Sequence, residues 1–195
     1  MLIRLSQPTG LFVALSDVKP HAVIDFDDDD DLLESYIKAA TRFVEDRTGR
    51  ILLPIDLEYR VAGWSEPICL PAFPVREVTE VVYLDEDHAE QTLDDGDWYL
   101  SETEEGGEIR FTDAFASPSL SDRPLPVRVR FSAGYDDPAA SGSGDDPALQ
   151  QDEMDRQIVR LMVAHSYANR EAVGGAMNSV PLSAESLIEM RRIFR

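Results

Sequence analysis

The sequence predicts an α+β protein, with N- and C-terminal helices packed as a small helical bundle and a central antiparallel β region. Three observations carry that expectation. Apolar residues recur at three- and four-residue steps from Leu33 to Val44 and again from Met154 to His165, the spacing that lines one face of an α-helix. Between these stretches, over residues 51–135, the period changes to two and turn-forming clusters appear at short intervals. A run of Asp, Pro, Ala, Ser and Gly over 136–147 has the composition of a flexible linker. The chain therefore divides into an N-terminal arm (1–26), a helical domain made from 27–50 and 148–195, a β-rich insert (51–135) and the linker (136–147). At 195 residues it is long enough to bury about 70% of its unfolded surface in a real core.

Taken in order, Leu11-Phe12-Val13-Ala14-Leu15 reads as a short strand ended by Asp17 and Pro20. Asp27 to Asp31 is a run of five aspartates directly before the first helical pattern. Leu33, Tyr36, Ile37, Ala40, Phe43 and Val44 give a helix over about Asp30–Thr48, with Gly49 as its C-terminal stop. The aspartates then sit where the helix macrodipole favours negative charge. From Ile51 to Tyr135 about five or six antiparallel strands are expected. Ile55, Leu57, Tyr59 and Val61 alternate with polar residues, as do Val127, Val129 and Phe131. Val78–Leu84, Trp98–Leu100 and Ile109–Phe111 lie between them, bounded by Asp94-Asp95-Gly96 and Gly106-Gly107. Pro71, Pro74, Pro118, Pro124 and Pro126 belong in loops or at strand starts. After the linker, Met154, Ile158, Leu161, Met162 and His165 give a helix over about Leu149–Arg170. A small-residue loop, Ala172 to Asn178, leads to a short final helix from Ser183. There Leu182 and Leu187 are spaced as a hydrophobic staple around Ser183 as N-cap.

Composition excludes several function classes. Eighteen basic residues against 38 acidic ones leave a net charge of -20 and a sequence pI near 4.3. Such a surface repels phosphate, so general nucleic-acid binding is disfavoured. A basic partner, mimicry of nucleic acid, a wall along which DNA slides without sticking, or a merely solvated surface remain open. The charge is uneven: residues 1–155 hold 12 basic and 35 acidic groups, residues 156–195 hold 6 and 3. The C-terminal segment is thus a candidate contact for an acidic partner. A lone cysteine, Cys69, forms no intramolecular disulfide and reads as a buried small apolar residue in the Ile68–Cys69–Leu70 run. No signal-peptide pattern stands at the N-terminus and no apolar run reaches membrane-spanning length, which suggests a soluble protein made in the cytoplasm.

The search for chemistry ends without a catalytic, metal or cofactor site. His21, His88 and His165 are far apart and none pairs with Cys69 at metal-ligand spacing. His165 on an apolar helix face reads as a structural histidine. Asp85-Glu86-Asp87 and Asp94-Asp95-Gly96-Asp97 lack calcium-loop spacing and read as solvated hairpin turns. Ser141-Gly142-Ser143-Gly144 lacks the nucleophile-elbow frame, and no phosphate-binding glycine loop is present. Pairs among the 38 carboxylates suit glycoside hydrolysis in principle, but their abundance makes them uninformative.

One resemblance spans about residues 30–195. It is carried by the order of Tyr36-Ile37-Lys38-Ala39-Ala40-Thr41-Arg42-Phe43-Val44-Glu45-Asp46-Arg47-Thr48-Gly49-Arg50, then Ile68-Cys69-Leu70-Pro71-Ala72-Phe73-Pro74-Val75 before a strand ending Val82-Tyr83-Leu84-Asp85. Asp97-Trp98-Tyr99-Leu100 and Val129-Arg130-Phe131-Ser132-Ala133-Gly134-Tyr135 follow. The set closes with a helix ending His165-Ser166-Tyr167-Ala168-Asn169-Arg170-Glu171 and a final helix with Arg191-Arg192. This order resembles the head–tail connector (adaptor) family of tailed phages and gene transfer agents. The long Ser-Gly linker and the first 26 residues depart from the family pattern. The resemblance implies a ring of about twelve copies beneath the portal protein, extending the DNA channel and meeting a tail-side connector or stopper protein, with no cofactor, membrane contact or specific DNA binding. It places the chain in a virion or phage-like particle. Basic Arg191, Arg192 and Arg195 are then candidates for docking on the portal. Leu33, Phe43, Ile158 and Leu161 are expected in the intramolecular core rather than at a ring interface. The competing readings are an acidic DNA mimic that inhibits a nucleic-acid enzyme and, more remotely, a carboxylate hydrolase.

Overall fold

The computed structural model describes residues 1–103, 106–136, 149–170 and 181–193. It is α+β, with four helices and eight strands among the described residues, every paired strand antiparallel. Two compact units are present: Met1–Pro8 with Leu53–Tyr135, and Thr9–Leu52 with Asp136–Phe194.

The first unit is built on strand alternation. It holds a five-stranded sheet in the order β1-β2-β8-β4-β5 and a three-stranded sheet in the order β3-β7-β6. These strands are β1 (Leu2–Arg4), β2 (Ile55–Val61), β3 (Ile68–Cys69), β4 (Val75–Leu84), β5 (Glu90–Thr92), β6 (Trp98–Thr103), β7 (Gly106–Phe111) and β8 (Val127–Ala133). Central β8 sends Val127, Val129, Phe131 and Ala133 into the core and Arg128, Arg130 and Ser132 to the other face, as period two requires. Its register with β2 sets Leu57 opposite Phe131 and Glu58 opposite Arg130. The prolines read as loop residues lie outside the strands. Trp64 gathers Tyr83, Phe111 and Phe115 edge-on at 5.2–5.7 Å, and its indole N–H donates to the Pro118 carbonyl at 2.9 Å. Gly134 holds φ 118°, and a Cβ there would lie 2.3 Å from the Leu53 carbonyl oxygen, so only glycine fits.

Two strands lie outside the expected set, and one expectation in this unit is corrected. Leu2–Arg4 forms a strand on β2, and Glu90–Thr92 forms another on β4; neither shows an apolar alternation, because each lies at a sheet edge. Cys69 is exposed, not buried. In a two-residue strand the side chains point to opposite faces, and Ile68 takes the inner one.

The second unit is helical: α1 (Leu15–His21), α2 (Asp30–Thr48), α3 (Glu153–Ala168) and α4 (Leu182–Arg191). α2 has the bounds its periodicity predicts, buries Leu33, Ile37, Ala40 and Val44, and ends at Gly49 in the left-handed conformation. It packs on α3, which also touches α1 and α4. Leu33 and Ile158 are core residues as expected, while Phe43 and Leu161 are only half-buried. Among the described residues no helix is long and apolar enough to cross a membrane.

The apolar run at 11–15 is not a strand. Phe12 and Val13 are buried and α1 already begins at Leu15, with Asp17 in its first turn and Pro20 inside it, a case where a short apolar run carries no usable period. α3 starts four residues later than its pattern suggests, because Asp152 is an N-cap whose carboxylate accepts from the Met154 amide at 2.8 Å. Its buried face is Asp155, Ile158, Val159 and Val163, rotated from the predicted stripe. No staple forms at α4: Leu182 is 81% exposed and already helical. The linker segment 137–147 and the loop Ala172–Asn178 lie outside the described residues.

Candidate functional site

Among the described residues the informative side chains form charged networks within each unit. In the helical unit the Thr48-Gly49-Arg50 end of α2 holds the end of α4. The Thr48 carbonyl accepts from the Ile193 amide at 2.9 Å, and Arg50 Nε donates to the Arg191 carbonyl at 3.0 Å. Buried Glu45, one turn back, accepts from the Leu52 amide at 2.8 Å. The left-handed turn at Gly49 is what brings these groups round.

Arg191 itself points inward. Its Nε and terminal nitrogen donate to the two carboxylate oxygens of Asp155 at 2.9 and 2.6 Å, and it also pairs with Asp152 at 2.8 Å. Asp155 is fully buried, so this bidentate pair carries its desolvation. Arg192 is half-exposed beside Glu189, 3.9 Å away, and Arg195 lies outside the described residues. Of the two described candidates, Arg191 thus turns into the helical unit while Arg192 stays at its surface. The basic excess of 156–195 is also offset in space: Arg156 meets Asp17, Arg160 meets Glu153 and Arg170 meets Asp29.

The aspartate run is more specific than a dipole effect. Asp29 accepts from the Tyr167 hydroxyl at 2.6 Å and from Arg170, whose guanidinium lies 4.1 Å over the Tyr167 ring. The Tyr167 and Arg170 hydrogen bonds hold the Asp29 carboxyl below its ordinary range, and the same bond raises the Tyr167 phenol. Lys19 closes on Asp27 and Asp30, each at 2.5 Å.

In the sheet unit, β8 organises the charge. Arg130 reaches Glu58 of β2 at 3.0 Å, Glu80 of β4 at 2.6 Å and Glu90 of β5 at 3.0 Å. Arg60 also holds Glu58, at 2.6 Å, and Arg128 holds Glu90, at 2.7 Å. Burial pushes the Glu58 carboxyl up, but hydrogen bonds from Arg130 and Arg60 outweigh it and its net shift is downward. Those carboxylates raise the Arg130 guanidinium above its ordinary value.

The acidic loops are turn caps. Asp85 accepts from the Asp87 and Ala89 amides and from Gln91, and Asp94 accepts from the Gly96 amide. Among the described residues no group of three or more His, Cys, Asp or Glu is placed to hold a metal. One serine–histidine contact was not legible in the sequence: Ser121 Oγ lies 2.7 Å from His88 Nδ1, with Asp122 3.9 Å from Nε2. Ser121 is buried and its oxygen accepts from the Arg123 amide, so the hydroxyl clamps a loop and presents no nucleophile to solvent. His165 is half-buried near Asn169.

With this geometry in hand, comparison with known proteins is informative. The model of the phage gp6-like head-tail connector protein family matches residues 12–91 and bears out the resemblance read from segment order. Among solved structures, a chain from the virion of a native gene transfer agent (GTA) particle shares the fold at TM-score 0.73 and 24% identity, over 100% of this chain and 96% of that one. Chains from the neck of the native GTA particle, computed with C12 symmetry, and of the empty particle, computed with C6 symmetry, match at TM-scores 0.74 and 0.73. Both are 23% identical, with the same coverage. No curated protein matches the sequence.

Proposed function

We propose that this chain, whose residues 12–91 carry the head–tail connector pattern, is a structural adaptor of the head–tail joint in a phage-like particle rather than an enzyme. In this reading its helices form a small bundle, and about twelve copies form a ring beneath the portal protein. The ring extends the DNA channel and offers a surface to a tail-side connector or stopper protein. The observation that carries the reading is the fold match over the full chain to a neck component of a particle computed with C12 symmetry. The acidic balance supports it as well. A channel wall with few unpaired cations does not hold phosphates, so DNA passes without specific binding.

The internal pairing of Arg191 changes how portal docking is tested. Charge reversal there breaks the helical unit, so Arg192 is the informative position. Purified chain mixed with portal-bearing, tailless heads should co-sediment with them, and Arg192→Glu should weaken that association at unchanged thermal stability. Failure of the unaltered chain to associate would count against the portal partner. It would favour the competing reading, an acidic DNA mimic. That alternative needs carboxylates exposed at phosphate-like spacing. On the sheet face Glu58, Glu80 and Glu90 are instead held by arginines.

A further inference from the structure

We propose that the turn between α1 and α2, residues 22–28, is a docking knuckle that inserts Val23 and Phe26 into an apolar pocket rimmed by Lys and Arg on another protein. Val23 is 91% exposed and holds φ 58°. A β-branched residue in the left-handed region is strained, and turns that need this conformation ordinarily take Gly or Asn. Intramolecular packing does not account for the side chain, because almost none of it is covered. Phe26, three residues on, is 43% exposed. Two large apolar groups thus stand in water on one short turn.

The turn is preformed. The Ala22 amide donates to the Val18 carbonyl and the Ile24 amide to the Lys19 carbonyl, both at 2.9 Å. Ile24, between the two exposed residues, is buried and pins the loop to its own unit. A rigid anchor of this kind loses little conformational freedom on binding, which is how a few side chains come to dominate an interface.

Charge selects the partner. Asp25 and Asp28 are exposed beside the apolar pair, and Asp27 extends into solvent even while it meets Lys19. A pocket rimmed by Lys and Arg complements this pattern, whereas nucleic acid and an anionic lipid surface are repelled. A second copy of the chain is a poor source of that rim: it carries a net charge of -20, and its described arginines in 156–193 already meet carboxylates. The inference does not depend on the adaptor reading, because it names the chemistry of the partner and not its place in a particle.

The test is site-specific photo-crosslinking of the full chain in the producing cells. A benzophenone side chain is placed at position 23, at position 26 or, as control, at exposed Glu102 of β6. The expected result is an adduct at 23 and 26, absent at 102, to one protein at a site flanked by Lys or Arg. Asp25→Lys with Asp28→Lys should lower its yield about tenfold. Val23→Gly relieves the backbone and should keep or raise Tm while reducing the adduct formed from position 26. No adduct above the control, an adduct to a second copy alone, or a yield unchanged by the lysine substitutions would overturn the proposal. A basic-rimmed partner outside any particle would sustain the knuckle and sink the adaptor. Tailless particles on gene deletion, without an adduct, would do the reverse.

Discussion

In the sheet unit Arg130 reaches Glu58, Glu80 and Glu90 across four adjacent strands, whereas in the helical unit Arg191 closes on Asp155 and Asp152 from the far end of the chain. The sheet network follows from register: once Glu58 stands opposite Arg130, neighbouring strands supply further carboxylates at one spacing. The helical network has no such repeat. Arg191 comes from another helix than its two carboxylate partners, and one of those carboxylates, Asp155, is fully buried. Loss of one sheet partner leaves Arg130 with others, while loss of Arg191 leaves Asp155 buried with a charge and little to meet it. The two units should therefore respond very differently to single substitutions.

The largest effect is expected at Arg191→Ala, which should cost about 3–5 kcal/mol of unfolding free energy in the helical unit, measured by urea denaturation. A loss below about 1 kcal/mol would erase the contrast. Gly134→Ala comes next. It forces a Cβ onto the Leu53 carbonyl in a left-handed conformation, and at least about 2 kcal/mol should be lost from the sheet unit.

Glu58→Gln should cost less, about 1–2 kcal/mol at neutral pH, because Arg130 keeps Glu80 and Glu90. The substitution also sharpens the comparison through pH. The folded Glu58 carboxyl titrates below its unfolded value, so its contribution is fully present above about pH 4.3 and is lost as pH falls through the lower folded value. The variant should start less stable than the parent and lose less on acidification, as a Tm-against-pH series would show. The smallest effect is at Tyr167→Phe. Removing the hydroxyl that donates to Asp29 should move the Asp29 carboxyl up toward its ordinary range, read by NMR titration, with little change in stability.

Much of this was legible in the sequence where local physics decides. α2 was readable to the residue because its apolar period, its acidic first turn and Gly49 agree. The central strands were readable because each alternates against a buried face. The edge strands Leu2–Arg4 and Glu90–Thr92 were not, since strand pairing there rests on a neighbour and not on their own side chains. The sequence shows the charge of Arg191, a candidate docking cation, but not its pairing with Asp155, which lies 36 residues away. Asp155 was missed for the same reason: a carboxylate in a helix's first turn looks solvated until its partner is seen. The Val23–Phe26 turn left no signal, since an exposed valine in a left-handed turn reads as one more apolar residue beside an aspartate run.

The adaptor reading itself is tested most directly by electron microscopy of particles from a strain lacking this gene. DNA-filled heads without attached tails, restored to tailed particles when the gene is returned, are the predicted result. Normal tailed particles from the deletion strain would contradict it and bring the acidic-mimic reading forward.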